Sequence, residues 1–275
     1  MKTAQFIEQF FFTFVSMINN NPIGLFDSGI GGTSIWKEIH ELLPNENTIY
    51  LADSKNAPYG QKSKEEIVEL SIKNTEFLLE ENCKIIVVAC NTATTNAIKE
   101  LRIKYSVSFI GIEPAIKPAA TNSKTQTIGI LATQGTLNSA LFHETAGRFQ
   151  NTKIVEQIGH GLVQLIENGE INSSEMNKLL HSYLQPMIDA NIDYLVLGCS
   201  HYPYLLPQIK KILPKQIKII DSGEAVARQT KNILNEKAGY NNQIGKKSQV
   251  FYTNTNETVL SDILQNNYPV LFKDF

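Results

Sequence analysis

Two cysteines stand where this sequence can do chemistry. Cys90 ends the apolar run Ile85–Ala89 and is followed by Asn91 and Thr92. Cys199 ends the run Tyr194–Gly198 and is followed by Ser200 and His201. A thiol is a workable acid and its thiolate a workable base. Two such groups facing one carbon from opposite sides could invert it. One would remove a proton from one face, the other would return a proton to the opposite face, and the roles would exchange in reverse. A strand-end cysteine taken alone is more often a small packing residue; two at matching places favour the chemical reading. Cys83 has no counterpart and reads as structural.

Other polar residues cluster at comparable places. Asp27 and Ser28 close the run "IGLF", and Thr136 follows the run "IGILA". Asn91, Thr92, Ser200, Ser28 and Thr136 offer neutral hydrogen-bonding groups for a carboxylate or an ammonium. Asp27 beside one thiol and His201 beside the other are candidates to tune or accept protons. If each cysteine opens a helix, the helix amides should favour its thiolate and bind a substrate carboxylate. Simpler roles compete for several residues: His201 as a helix cap, Asp221 and Ser222 as an N-cap, and His40, His143, His160 and His181 as surface or packing residues. "GIGG" lacks the third glycine of a dinucleotide loop, because Ser34 falls in its place. No phosphate-loop lysine follows it.

The elements that must position these residues follow one plan. Short apolar strands ("PIGLF", "NTIYLAD", "KIIVVAC", "SFIGIE") alternate with helical patterns. The clearest helix is "SKEEIVELSIKNTEFLLEEN", opened by Ser63 with Glu66 three places on. Such alternation predicts an α/β fold with parallel sheets covered on both faces. "EPAIKPAA" reads as a linker, after which the plan restarts with "TIGILAT", "TKIVEQI", "DYLVLGC" and "IKIIDS". Ser28 and Cys90 lie 62 positions apart, Thr133 and Cys199 lie 66 apart. Matching landmarks at near-equal spacing imply one α/β unit used twice. In such sheets ligands bind beyond the carboxyl ends of the strands, where these polar residues fall.

Composition removes some classes. The chain has 275 residues, 42% hydrophobic and 19% charged, with net charge −2; it has no basic run, so no direct nucleic-acid partner is expected. Three cysteines are too few for a disulfide framework and too sparse for a structural zinc site. A reducing, cytoplasmic setting and no metal are expected. The apolar patch in residues 1–21 is too short to span a bilayer and lacks a cleavage site. It reads as a non-catalytic N-terminal extension, or as upstream sequence ahead of a start at Met17.

The motifs "GLFDSGIGGTSIWKEI", "LADSKNAPYG", "VVACNTATT", "GLVQLIENG", "LVLGCSHYP" and "IIDSGEAVA" together resemble the cofactor-independent glutamate racemases over about residues 22–229. The resemblance implies two pseudosymmetric parallel-sheet α/β domains with the active site in the cleft between them. The first spans 22–114 and is completed by 230–275; the second spans 115–229. It implies Cys90 and Cys199 as catalytic acid/base residues, acting on D- and L-glutamate respectively, assisted by Asp27 and His201. It also implies substrate contacts from Asp27, Ser28, Tyr59, Gly60, Asn91, Thr92, Thr136, Glu167, Ser200 and His201. No cofactor is implied. A homodimer with glutamate as its small-molecule substrate, and D-glutamate supply for peptidoglycan, are implied as well. Ser200 departs from the family's usual threonine, keeping the hydroxyl and losing a methyl. Aspartate or a related amino acid stays open as the substrate. Some family members inhibit DNA gyrase; residues 1–21 are the feature on which such an additional role would rest.

Overall fold

A computed structural model describes residues 18–245 and 247–275 of the chain. The expectations for residues 1–17, Met17 included, lie outside the described residues. The first half contains β1 (Ile23–Asp27), α1 (Thr33–Leu42), β2 (Thr48–Ala52), α2 (Lys64–Glu80), β3 (Ile85–Val88), α3 (Asn91–Lys104) and β4 (Ser108–Gly111). After α4 (Ile116–Asn122) come β5 (Thr127–Ala132), α5 (Gln134–Leu137), α6 (Ala140–Ala146), β6 (Lys153–Ile158), α7 (Leu162–Glu167), α8 (Ser174–Asp189), β7 (Tyr194–Gly198), α9 (Leu206–Ile212) and β8 (Lys218–Ile220). The chain closes with α10 (Gly223–Ile233), β9 (Gln249–Thr253), α11 (Thr258–Ile263) and β10 (Val270–Phe272).

The strands form two parallel sheets, ordered β10-β9-β2-β1-β3-β4 and β6-β5-β7-β8. The orders 2-1-3-4 and 6-5-7-8 are one topology used twice, so the sequence restart is a repeat in space. Within each repeated four-strand unit the winding direction reverses once, between β1 and β3 and between β5 and β7. At such switch points the connections leave to opposite sides and open a crevice at the carboxyl edge. β1, β3 and β7 are buried along their whole length, because helices cover both faces of a parallel sheet. This is why they read as unbroken apolar runs. One buried apolar cluster crosses both halves: Leu25, Trp36 and Val87 share it with Leu131, Leu195 and Tyr202.

Local chemistry explains the helices. Ser63 and Glu66 form the full capping box at α2, with bonds of 3.2 and 2.9 Å. "EPAIKPAA" is not a linker throughout: Ile116–Asn122 is helical. Pro118 is tolerated there because it lies in the first turn, where an N–H has no intrahelical acceptor. The stretch after β5 forms two short helices, α5 and α6, because Ser139 caps a new start by accepting from Phe142 N at 3.2 Å. The boundary expected at 229/230 falls inside α10.

Candidate active site

β1 and β3 deliver Asp27, Ser28 and Cys90 to the first switch point. β5 and β7 deliver Thr133 and Cys199 to the second. Both thiols are buried, 3% and 6% exposed. Cys199 is near enough to Cys90 for negative charge on Cys199 to disfavour the Cys90 thiolate.

The two surroundings differ. Cys90 is the N-cap of α3 and accepts from Ala93 N at 3.4 Å; its thiol reaches Ser28 Oγ at 3.7 Å. The amide and the hydroxyl favour the thiolate, as the sequence suggested, yet they lose. Burial, then the Asp27 carboxyl, push the Cys90 thiol well above its ordinary value. The expected thiolate character is therefore corrected for Cys90: in this closed arrangement it is held as a thiol. Cys199 opens no α-helix directly. A single tight turn, Tyr202–Leu205, separates it from α9. Its sulfur instead lies 3.8 Å from His201 Nδ1.

His201 is more than a cap. Its Nε2 meets Glu167 Oε1 at 2.5 Å, and its Nδ1 lies 3.9 Å from Asp27 Oδ2. Burial alone would lower the ring's pKa. Its bonds to Cys199 and Glu167, with the charges of Asp27 and Glu167, outweigh burial and hold it well above 6.5. Glu167 is itself anchored across the cleft, accepting from Ile30 N at 2.7 Å and Ser54 Oγ at 2.8 Å. Asp27 accepts from Gly32 N at 2.8 Å and Ser200 Oγ at 3.2 Å. Burial still raises its pKa above 3.8, against the pull of His201. The glycines of "DSGIGG" now have a reason. A Cβ on Gly29 would enter the Glu167 carboxyl, and one on Gly31 would enter the His201 ring. The turn is bare so that the second half's acid and imidazole can lie on its backbone.

The remaining candidates sit around this centre. Asn91 is buried, and neither atom of its side-chain amide bonds another described residue. Thr92 Oγ1 meets Thr133 Oγ1 at 2.8 Å and Thr136 Oγ1 at 3.3 Å, joining the halves. Ser34 Oγ donates to Ser200 O at 2.8 Å on the other flank. Tyr59 gives its hydroxyl to Asp53 and accepts from Asn74 Nδ2 at 3.1 Å. That hydroxyl is engaged, so Tyr59 and Gly60 offer the cleft chiefly backbone. Gly60 lies against Thr133, where a Cβ would clash, and lines a small cavity of about 20 Å³ with Thr133, Gly161 and Gln164. Asp53 was not singled out from the sequence, although it follows β2 at the same carboxyl edge that drew attention to Asp27. Among the described residues, no group of three or more His, Cys, Asp or Glu side chains is set to hold a metal ion.

The family model described as Asp/Glu/Hydantoin racemase matches residues 23–230. The chain belongs to this family. It is accordingly an enzyme, a racemase. It is 49% identical over 208 residues to the glutamate racemase of Ralstonia pickettii (strain 12J), covering 75% of this chain and 74% of that one. Among solved structures it resembles glutamate racemase isoform RacE1 from Bacillus anthracis, with TM-score 0.83, 30% identity and coverage of 93% and 98%. It resembles equally the Escherichia coli glutamate racemase in complex with L-glutamate and the activator UDP-MurNAc-ala, with TM-score 0.83, 32% identity and coverage of 92% and 98%. Among the described residues, no helix is long and apolar enough to cross a membrane.

Proposed function

We propose that this racemase interconverts L- and D-glutamate by two-base proton transfer between Cys199 and Cys90. The single observation that carries the reading is the pairing of the two thiols at equivalent switch points of one repeated topology, within electrostatic reach of each other. Toward D-glutamate, the Cys199 thiolate takes the α-proton of L-glutamate and its electron pair stays on the α-carbon. The Cys90 thiol then gives its proton to the opposite face. The turnover leaves a thiol at Cys199 and a thiolate at Cys90, and the reverse reaction starts from that state. The raised pKa of Cys90 suits it to hold the donated proton. His201, which keeps its proton with the help of Glu167, supplies positive charge beside Cys199.

The amide of Asn91 and the hydroxyls of Ser28, Thr92, Thr136 and Ser200 hold the substrate, with the backbone at Tyr59 and Gly60. A buried amide without protein partners is costly, and a bound carboxylate or ammonium would satisfy Asn91. Because both thiols are buried, the cross-cleft bonds of Thr92 and Ser34 must part to admit substrate. The halves 22–114 with 230–275, and 115–229, act as the two walls of the cleft. We further assign the enzyme, on resemblance, to a cytoplasmic homodimer whose D-glutamate feeds peptidoglycan assembly.

Circular dichroism of the amino acid tests the substrate directly. Incubation with L- or D-glutamate should drive the signal to zero from either side. Faster inversion of aspartate than of glutamate, or inversion of neither, would overturn the assignment.

A further inference from the structure

The 53–61 loop carries Gly60 to the cleft and Ser54 to Glu167, and a residue far along the chain ties it down. β9 runs parallel to β2 with Thr253 opposite Ala52. The next residues, Asn254 and Asp53, are therefore neighbours at the carboxyl edge of the first sheet. Asn254 is 5% exposed. Its Nδ2 donates to Asp53 Oδ1 at 2.6 Å, and its Oδ1 accepts from Lys55 N at 2.9 Å. Only one orientation of the amide satisfies both, since a flip would set its NH2 against the Lys55 N–H. Asp53 gathers the rest of the loop. Asn56 Nδ2 reaches the same oxygen at 2.8 Å, Tyr59 gives its hydroxyl to the other, and Asp53 N donates to Asp27 O at 3.1 Å.

We propose that Asn254 is a positioning residue of the racemase: it fixes the 53–61 loop, and through it the Gly60 backbone and the Ser54 contact to Glu167. Asn254 lies beyond residues 23–230, the part matched by the family model. The closing segment thus does more than widen the sheet. Its strand register sets an amide against the loop that borders the substrate. The kinetic part of the proposal rests on the glutamate reading above; the structural part does not.

The full chain carrying Asn254→Ala or Asn254→Asp tests this. Lost bonds to a carboxyl and a loop amide should raise KM for glutamate about tenfold, with kcat within about threefold of wild type. Asn254→Asp keeps the acceptor for Lys55 N but faces Asp53 with a second carboxyl. Two buried carboxyls resist joint ionisation, so its KM defect should shrink as pH falls and one of them gains a proton to donate. Amide exchange at Lys55 should quicken about tenfold in Asn254→Ala, whatever substrate the enzyme prefers. A KM within twofold of wild type, a pH-independent defect in Asn254→Asp, or unchanged Lys55 protection would each overturn the proposal. A wild-type enzyme inert toward glutamate would overturn the glutamate reading instead, leaving the exchange measurement to decide the role of Asn254.

Discussion

Cys90 and Cys199 end equivalent strands of a repeated topology, yet their surroundings do not match. The Cys90 pocket draws on its own half: Ser28, the Ala93 amide and Asp27. The Cys199 pocket reaches across the cleft. His201 leans on Glu167, and Glu167 is held by Ile30 N and Ser54 of the first half. The repeated topology accounts for where the thiols stand; in the proposed mechanism their unlike neighbours set how each would handle its proton. A helix N-terminus and the Asp27 carboxyl adjoin Cys90, and the His201–Glu167 pair adjoins Cys199. Closing the cleft should therefore alter the Cys199 side more than the Cys90 side.

The largest effect should come from removing either thiol. Cys90→Ser and Cys199→Ser should each lower racemisation by at least about a thousandfold, near the upper range for a lost general acid or base. The loss in kcat/KM must be equal in both directions, because the enantiomers are equal in energy. Dichroism time courses from both sides check this.

Glu167→Gln should cost about ten- to a hundredfold and should act on one side of the mechanism. Proton transfer at Cys199 would become slower, so the primary isotope effect from α-deuterated L-glutamate should rise. The effect from α-deuterated D-glutamate should fall. Equal changes in both would break the asymmetry argued here.

His201 offers a smaller, thermodynamic test. Its pKa is raised on folding. The stability it contributes is fully present below about pH 6.5 and is lost as pH rises through the raised value. Urea titrations of wild type and His201→Asn should therefore diverge most at low pH and converge across that window. Asp27, Glu167 and Cys199 face the same ring, so parallel curves would contradict its charged state. Smallest of all should be Ser200→Thr. It keeps the hydroxyl that donates to Asp27 and adds a methyl in a tight site, so kcat/KM should stay within about threefold.

What the sequence made legible was whatever is local or repeated. Fully buried parallel strands must be short apolar runs, and "KIIVVAC" and "DYLVLGC" therefore stood out with their cysteines at the ends. The repeat followed from matched spacing. The hidden parts depend on contacts between distant residues. His201 and Glu167 are 34 positions apart, and Glu167 meets Ile30 across 137. Asn254 reaches Asp53 across 201, through a strand pairing that no local pattern announces. The protonation of Cys90 was misread for the same reason. Its helix cap is visible in "CNTAT", whereas the burial that outweighs the cap comes from residues brought together only by the fold.

Deuterium exchange by the single-thiol variants tests the account most directly. In heavy water, Cys199→Ser should exchange the α-proton of D-glutamate through Cys90 and leave L-glutamate untouched. Cys90→Ser should exchange L-glutamate alone. Exchange of both enantiomers by either variant, or of the opposite one, would contradict the assignment of one thiol to each face.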